Sequence, residues 1–97
     1  MPTVRCQAVR WVSDEPFPGW VEVHLTSADG YEHAFFDKPP MFEAANQLRR
    51  DAEYPFDIEV DCSIETDEGH RAVVITMTHV ETADGRRTFR VARELIG

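Results

Sequence analysis

Four histidines, two cysteines and a row of carboxylates are the residues of this chain that could do chemistry. A metal centre needs such ligands to converge, and the common sites announce themselves by short spacings. His24, His33, His70 and His79 form no His-x-x-x-His pair, and Cys6 and Cys62 form no Cys-x-x-Cys pair. Neither a metal nor a cofactor is therefore expected. Nucleophilic catalysis lacks its Gly-x-Ser-x-Gly elbow, and no glycine-rich loop is available to cradle a phosphate. General acid–base work would need a desolvated carboxylate pair with separated pKa values. Asp57, Glu59, Asp61 and Glu65 instead alternate with apolar residues, the pattern of a solvated strand face. The expectation is a protein that binds rather than one that catalyses.

The formal charge of −8 argues against nucleic acid and anionic membranes, because phosphate binding needs a basic footprint. It allows a basic protein surface as partner. One alternative is thus an immunity- or inhibitor-type protein that lays the row Asp57, Glu59, Asp61, Glu65 over a basic active site. Another is an accessory enzyme or metal binder using His24, His33, His70 or His79. No secretory-type segment precedes the first strand and no apolar run approaches the ~18 residues of a membrane span. A cytoplasmic location with both thiols reduced is expected. Cys6 and Cys62 occupy apolar positions of alternating runs and read as small buried hydrophobes.

The elements that would position any site are strands. Ser27-Ala28-Asp29-Gly30 and Thr82-Ala83-Asp84-Gly85 are turns of one type, each between alternating or β-branched runs. Gly accepts φ > 0 at such corners, while Asp bonds back to its own turn backbone. Thr66-Asp67-Glu68-Gly69 follows the same logic. Three hairpins in 97 residues predict one antiparallel, all-β domain over residues 1–97. The change of apolar phase between Ala8 and Val9 predicts a β-bulge in the first strand. Trp20 to Thr26 and Tyr31 to Phe36 form the first hairpin, with Val21, Val23 and Leu25 inward.

In the second hairpin Ile58, Val60, Cys62 and Ile64 point inward, and a Glu68-Gly69 turn pairs Ile64 with Val73, Cys62 with Ile75 and Val60 with Met77. In the third, an Ala83-Asp84-Gly85 loop sets Glu81 opposite Arg87, His79 opposite Phe89 and Met77 opposite Val91. That register turns His79 inward. Pro39-Pro40 followed by good helix formers predicts one short helix around 41–50, ending before Tyr54-Pro55. Six strands with this helix are most economically a small barrel, which removes edge strands.

Antiparallel pairing of the first hairpin brings the loop entering Trp20 and the loop leaving Phe36 to one end. That end, 14–20 with 37–42, collects Phe17, Trp20, Lys38, Pro39, Met41 and Phe42. Aromatic side chains with a charged rim suit recognition of a protein or small ligand, and equally suit plugging the end of a barrel. Either a monomer or a homodimer through this patch is compatible with it.

Asp14-Glu15-Pro16-Phe17-Pro18-Gly19-Trp20-Val21-Glu22-Val23, Ala28-Asp29-Gly30 and Asp37-Lys38-Pro39-Pro40-Met41-Phe42 occur in that order. With Ala83-Asp84-Gly85-Arg86 and Phe89-Arg90-Val91, they resemble a group of small bacterial proteins of similar length that carry no assigned activity. Such proteins are similar in turn to the small barrel domains of translation factors. The resemblance implies a fold and leaves function to the site.

Overall fold

A computed structural model describes residues 2–42, 47–69 and 71–97. Six antiparallel strands carry it: β1 (Thr3–Ser13), β2 (Trp20–Thr26), β3 (Glu32–Asp37), β4 (Phe56–Asp67), β5 (Ala72–Met77) and β6 (Thr88–Ala92). Their order in the sheet is β3-β2-β1-β4-β5-β6. The all-β architecture expected from the hairpins is present. Its closure is partial: the sheet curls into a half-barrel, and among the described residues β3 and β6 form no ladder with each other.

The phase change in β1 is a bulge. Pairing with β2 shifts between Ala8 and Arg10, and again between Trp11 and Ser13. The first hairpin forms as expected, with Val21, Val23 and Leu25 buried; in its register Val23 lies opposite Phe35 and Leu25 opposite His33. Val4, Ala8, Val21, Val23, Leu25, Phe35, Val73, Ile75, Met77 and Val91 are wholly buried and fill the concave side. Cys6 and Cys62 join that core as free thiols. Burial pushes both thiols upward, Cys62 to about 11, so neither is a thiolate nucleophile at neutral pH.

Two registers differ from expectation. In the β4–β5 hairpin Cys62 faces Met77 and Ile64 faces Ile75, and a bulge after Ile64 then sets Asp67 opposite Val73. The strand runs through the expected corner, and Glu68 N–H closes the turn on the Ala72 carbonyl at 3.1 Å. A slip of two residues keeps every side chain on its face, so alternation settles parity but not register. Ile64 is 41% exposed because β1 reaches only as far as Asp61. Beyond that point the strand partner of β4 among the described residues is β5 alone.

In the β5–β6 hairpin the Ala83-Asp84-Gly85 loop forms as expected, yet Ile75 rather than His79 faces Phe89, and Val73 rather than Met77 faces Val91. Residues 78–81 leave the ladder. The Arg87 guanidinium accounts for this: its Nη2 donates to the Met77 and Thr78 carbonyls at 3.2 and 2.8 Å. Val80 tucks into the core, and His79 is exposed, 4.0 Å from Asp61, rather than inward.

The segment expected as a helix around 41–50 opens with a 3-10 turn at Pro39–Met41. Glu43–Asn46, its centre, lie outside the described residues, and Gln47–Arg49 carry no helix. The Arg49 carbonyl instead accepts the Tyr54 hydroxyl at 2.7 Å, and Leu48 is buried in the core.

Candidate functional site

The two Asp-Gly turns that look alike in sequence are alike in space. Gly30 N–H donates to the Ser27 carbonyl and Ser27 N–H to the Tyr31 carbonyl, both at 2.9 Å. Gly85 N–H and Thr82 N–H repeat those bonds to Thr82 and Arg86 at 2.9 and 3.0 Å. Gly30 and Gly85 take φ of 85° and 84°, values an L residue reaches only with strain. The Ser27 hydroxyl donates to Asp29 at 2.5 Å, and the Thr82 hydroxyl makes the same bond to Asp84. Those hydroxyls are the main cause holding both carboxyls below the usual range, so both turns are anionic at neutral pH.

The curl of the sheet brings the two turns to opposite sides of one groove. It encloses about 730 Å³ between the β3 edge and the loop leading into β6. Tyr31 and His33 line its floor, and the buried rings of Phe89 and Phe35 lie behind them. Tyr31 lies 4.9 Å from His33, His33 lies 4.8 Å from Phe89, and Phe89 meets Phe35 edge-on at 5.7 Å, all between ring centroids. Arg86 stacks over Phe89 with its guanidinium carbon 4.7 Å from the ring centroid. His33 Nε2 lies 3.1 Å from the Ser27 hydroxyl oxygen. Burial first, and the Arg86 charge second, push His33 below its ordinary pKa, so the imidazole is neutral near pH 7 and Nε2–H can donate to Ser27.

Three carboxylates line this groove, Asp29, Glu32 and Asp84, against the guanidiniums of Arg86 and Arg90. Both arginines are engaged. Arg86 Nε donates to the Thr88 carbonyl at 3.1 Å, and Arg90 Nε to Glu68 Oε1 at 2.7 Å. Glu68 balances the charge of Arg90 and the Thr88 carbonyl does not balance that of Arg86, so three carboxylates against one unbalanced guanidinium leave the groove net negative.

The six residues expected to form a recognition patch separate by burial. Phe42 is 2% exposed and belongs to the core, and Met41 packs against it. Of the two roles that the sequence allowed this end, patch or plug, Phe42 has the packing one. Trp20, Lys38 and Pro39 are half-buried. Phe17 stands alone at 89% exposure, on a loop whose Gly19 (φ 107°) lies beneath the Trp11 ring. Trp11 Nε1 in turn donates to Asp14 at 2.8 Å.

Among the described residues no three His, Cys, Asp or Glu side chains group as metal ligands. His24 is held 2.5 Å from Glu22, and His70 lies outside the described residues. The carboxylate row of β4 is partly compensated. Glu59 accepts from the Thr3 hydroxyl at 2.7 Å with Arg5 at 4.0 Å, and Asp61 has His79 at 4.0 Å. Tyr31, Arg86 and Arg90 were not legible as site residues, and His33 was so only as a candidate for a metal binder or accessory enzyme. The repeated turn was their one signal, and sequence alone does not say that the repeats face each other.

Fold and groove together define the class: a small all-β half-barrel with a lined cleft along its open seam. Comparison with protein-family models, with curated proteins and with solved structures finds no match to this chain. Among the described residues no helix is long and apolar enough to cross a membrane.

Proposed function

We propose that this protein is a small acidic binding module that recognises a protein partner in the groove between β3 and β6. The observation that supports this is the seam itself: a cleft of about 730 Å³ framed by both Asp-Gly turns over an aromatic floor. Tyr31, 65% exposed, and Phe36, 45% exposed, supply apolar contact area at its rim. Large, stiff aromatic contacts beside charged groups are the usual anchors of protein recognition.

A second reading rests on Phe17. One aromatic ring presented at 89% exposure from the loop before β2 is a contact-ready side chain. The two readings separate in a pull-down from cell extract with wild type, Tyr31→Ser and Phe17→Ser, each checked for an unchanged thermal midpoint. A partner lost only by Tyr31→Ser supports the groove, and one lost only by Phe17→Ser moves the site to the loop. Identical captured sets in all three would overturn both.

A further inference from the structure

The two edges of the seam are not equivalent, and the difference points to how the groove is occupied. Direct partners in an antiparallel ladder alternate between exchanging backbone hydrogen bonds and turning those groups away. Ser27 and Tyr31 exchange one, so Leu25–His33, Val23–Phe35 and Val21–Asp37 do as well. The N–H and C=O groups of Glu32, Ala34 and Phe36 therefore face away from β2, into the seam. No backbone or side-chain partner meets them among the described residues.

On the other edge, Met77 N–H bonds the Arg87 carbonyl and Arg93 N–H the Arg71 carbonyl, which turns Thr88 and Arg90 toward the seam. Their carbonyls are already taken. Arg90 accepts the Ala28 N–H at 2.8 Å, and Thr88 accepts Arg86 Nε at 3.1 Å. The seam-facing carbonyls of β6 are taken, whereas on β3 neither N–H nor C=O meets a partner among the described residues.

We infer that β3 is an acceptor edge: an extended segment of a basic partner protein adds to it as a seventh strand, paired with Glu32, Ala34 and Phe36. This rests on the groove being the binding site. Strand addition draws affinity from main-chain bonds and specificity from alternate side chains. Here every second side chain of the added strand lies over Tyr31 and His33. The others project on the outer face, beside Glu32, Ala34 and Phe36. Charge complementarity makes those outward residues Lys or Arg, since Glu32 stands on that face, carboxylates outnumber guanidiniums in the groove and the chain carries −8 overall. A second copy of this chain brings the same negative charge and the same bare carboxylate-flanked edge, which disfavours self-pairing.

The probe is a capped alternating Val-Lys peptide, with an alternating Val-Glu peptide and a Val-Lys peptide N-methylated at alternate residues as comparisons. Binding is followed by amide NMR of the full chain. Val-Lys is expected to protect the Glu32, Ala34 and Phe36 amides from exchange. N-methylation on the pairing edge should weaken binding at least about tenfold, the effect of losing two or more main-chain bonds. Val-Glu should not bind.

Ala34→Pro removes the central N–H of the bare edge, where proline is tolerated, and should abolish binding with the thermal midpoint retained. If that variant unfolds, Glu32→Lys carries the test through a loss of Val-Lys affinity. Val-Lys perturbing Tyr31 and Arg86 equally with and without N-methyl groups would overturn strand addition and leave the groove standing. Perturbations confined to Phe17 or to the Asp57–Glu65 face, or no binding at all, would overturn the inference.

Discussion

The backbone N–H of Ala28, in the first Asp-Gly turn, donates to the carbonyl of Arg90 in β6 across 2.8 Å. The tip of one hairpin is thereby tied to the last strand, and the seam of the half-barrel is closed at one end while it stays open along β3. Ala28 sits at the first corner of its turn, a position that accepts proline. Ala28→Pro should keep the hairpin and lose the tie. The expected cost is about 1 kcal/mol, the net worth of one hydrogen bond. Urea unfolding reads that cost. Shifted Phe89 and His33 ring signals with unchanged β1–β2 amide protection would locate it.

Gly19 and Gly30 both have positive φ but differ in what surrounds them. A Cβ on Gly30 meets nothing within 4 Å, whereas one on Gly19 would fall 2.2 Å from Trp11 Cζ2 and 3.0 Å from the Ser13 carbonyl. Gly30→Ala should cost about 1 kcal/mol of backbone strain. Gly19→Ala should cost more than about 2 kcal/mol, since the Trp11 ring must also move. Equal denaturation midpoints for the two variants would contradict this packing.

Phe42→Ala should remove about 3–5 kcal/mol, a large part of a small domain's stability. Phe17→Ala should stay within about 0.5 kcal/mol of wild type, because an exposed ring has little burial to lose. Chemical denaturation of the two variants measures the contrast, and only Phe17 can serve as a probe of binding at that end.

Acid should weaken the fold in two stages. His33 is held below its ordinary value of 6.5, chiefly by burial. Its folded state prefers the neutral ring, so that contribution is full above 6.5 and is lost as pH falls through that value to the folded pKa. Glu22 is lowered although burial alone would raise it, because hydrogen bonds from His24 and Arg10 outweigh burial. Its contribution is present above its ordinary 4.5 and is lost as pH falls through the lower folded pKa. Urea midpoints measured against pH should show both declines, and His33→Gln should erase only the first.

Cys6 and Cys62, buried and protonated, should react with a thiol reagent only as fast as the protein opens. Labelling of both in urea should track the unfolding transition. Fast labelling of either in native buffer would place that thiol outside the core.

Strand parity, the β1 bulge and the turn residues were legible because they are local. Val21, Val23 and Leu25 alternate, and Gly30 and Gly85 mark corners that few other residues can make. The second and third hairpin registers were not. A shift of two or four residues leaves every face unchanged, and what selects between such registers is remote: Arg87 reaching the Met77 and Thr78 carbonyls, or β1 running out at Asp61. Phe42 was ambiguous for the same reason, since an aromatic residue beside two prolines suits a rim or a plug.

By itself, then, the amino-acid order determined that this chain pairs its strands antiparallel, which face of each strand is apolar, and that two corners are built alike. Those are properties of φ, ψ and period-two alternation over a few residues. The tertiary structure decided that the corners face each other, that β6 has its seam-facing carbonyls engaged while the β3 edge meets no partner among the described residues, and that the barrel stays half closed. Those outcomes depend on how far six strands curl and on single bonds between residues far apart in the chain, Ala28 to Arg90 above all, which no local pattern encodes.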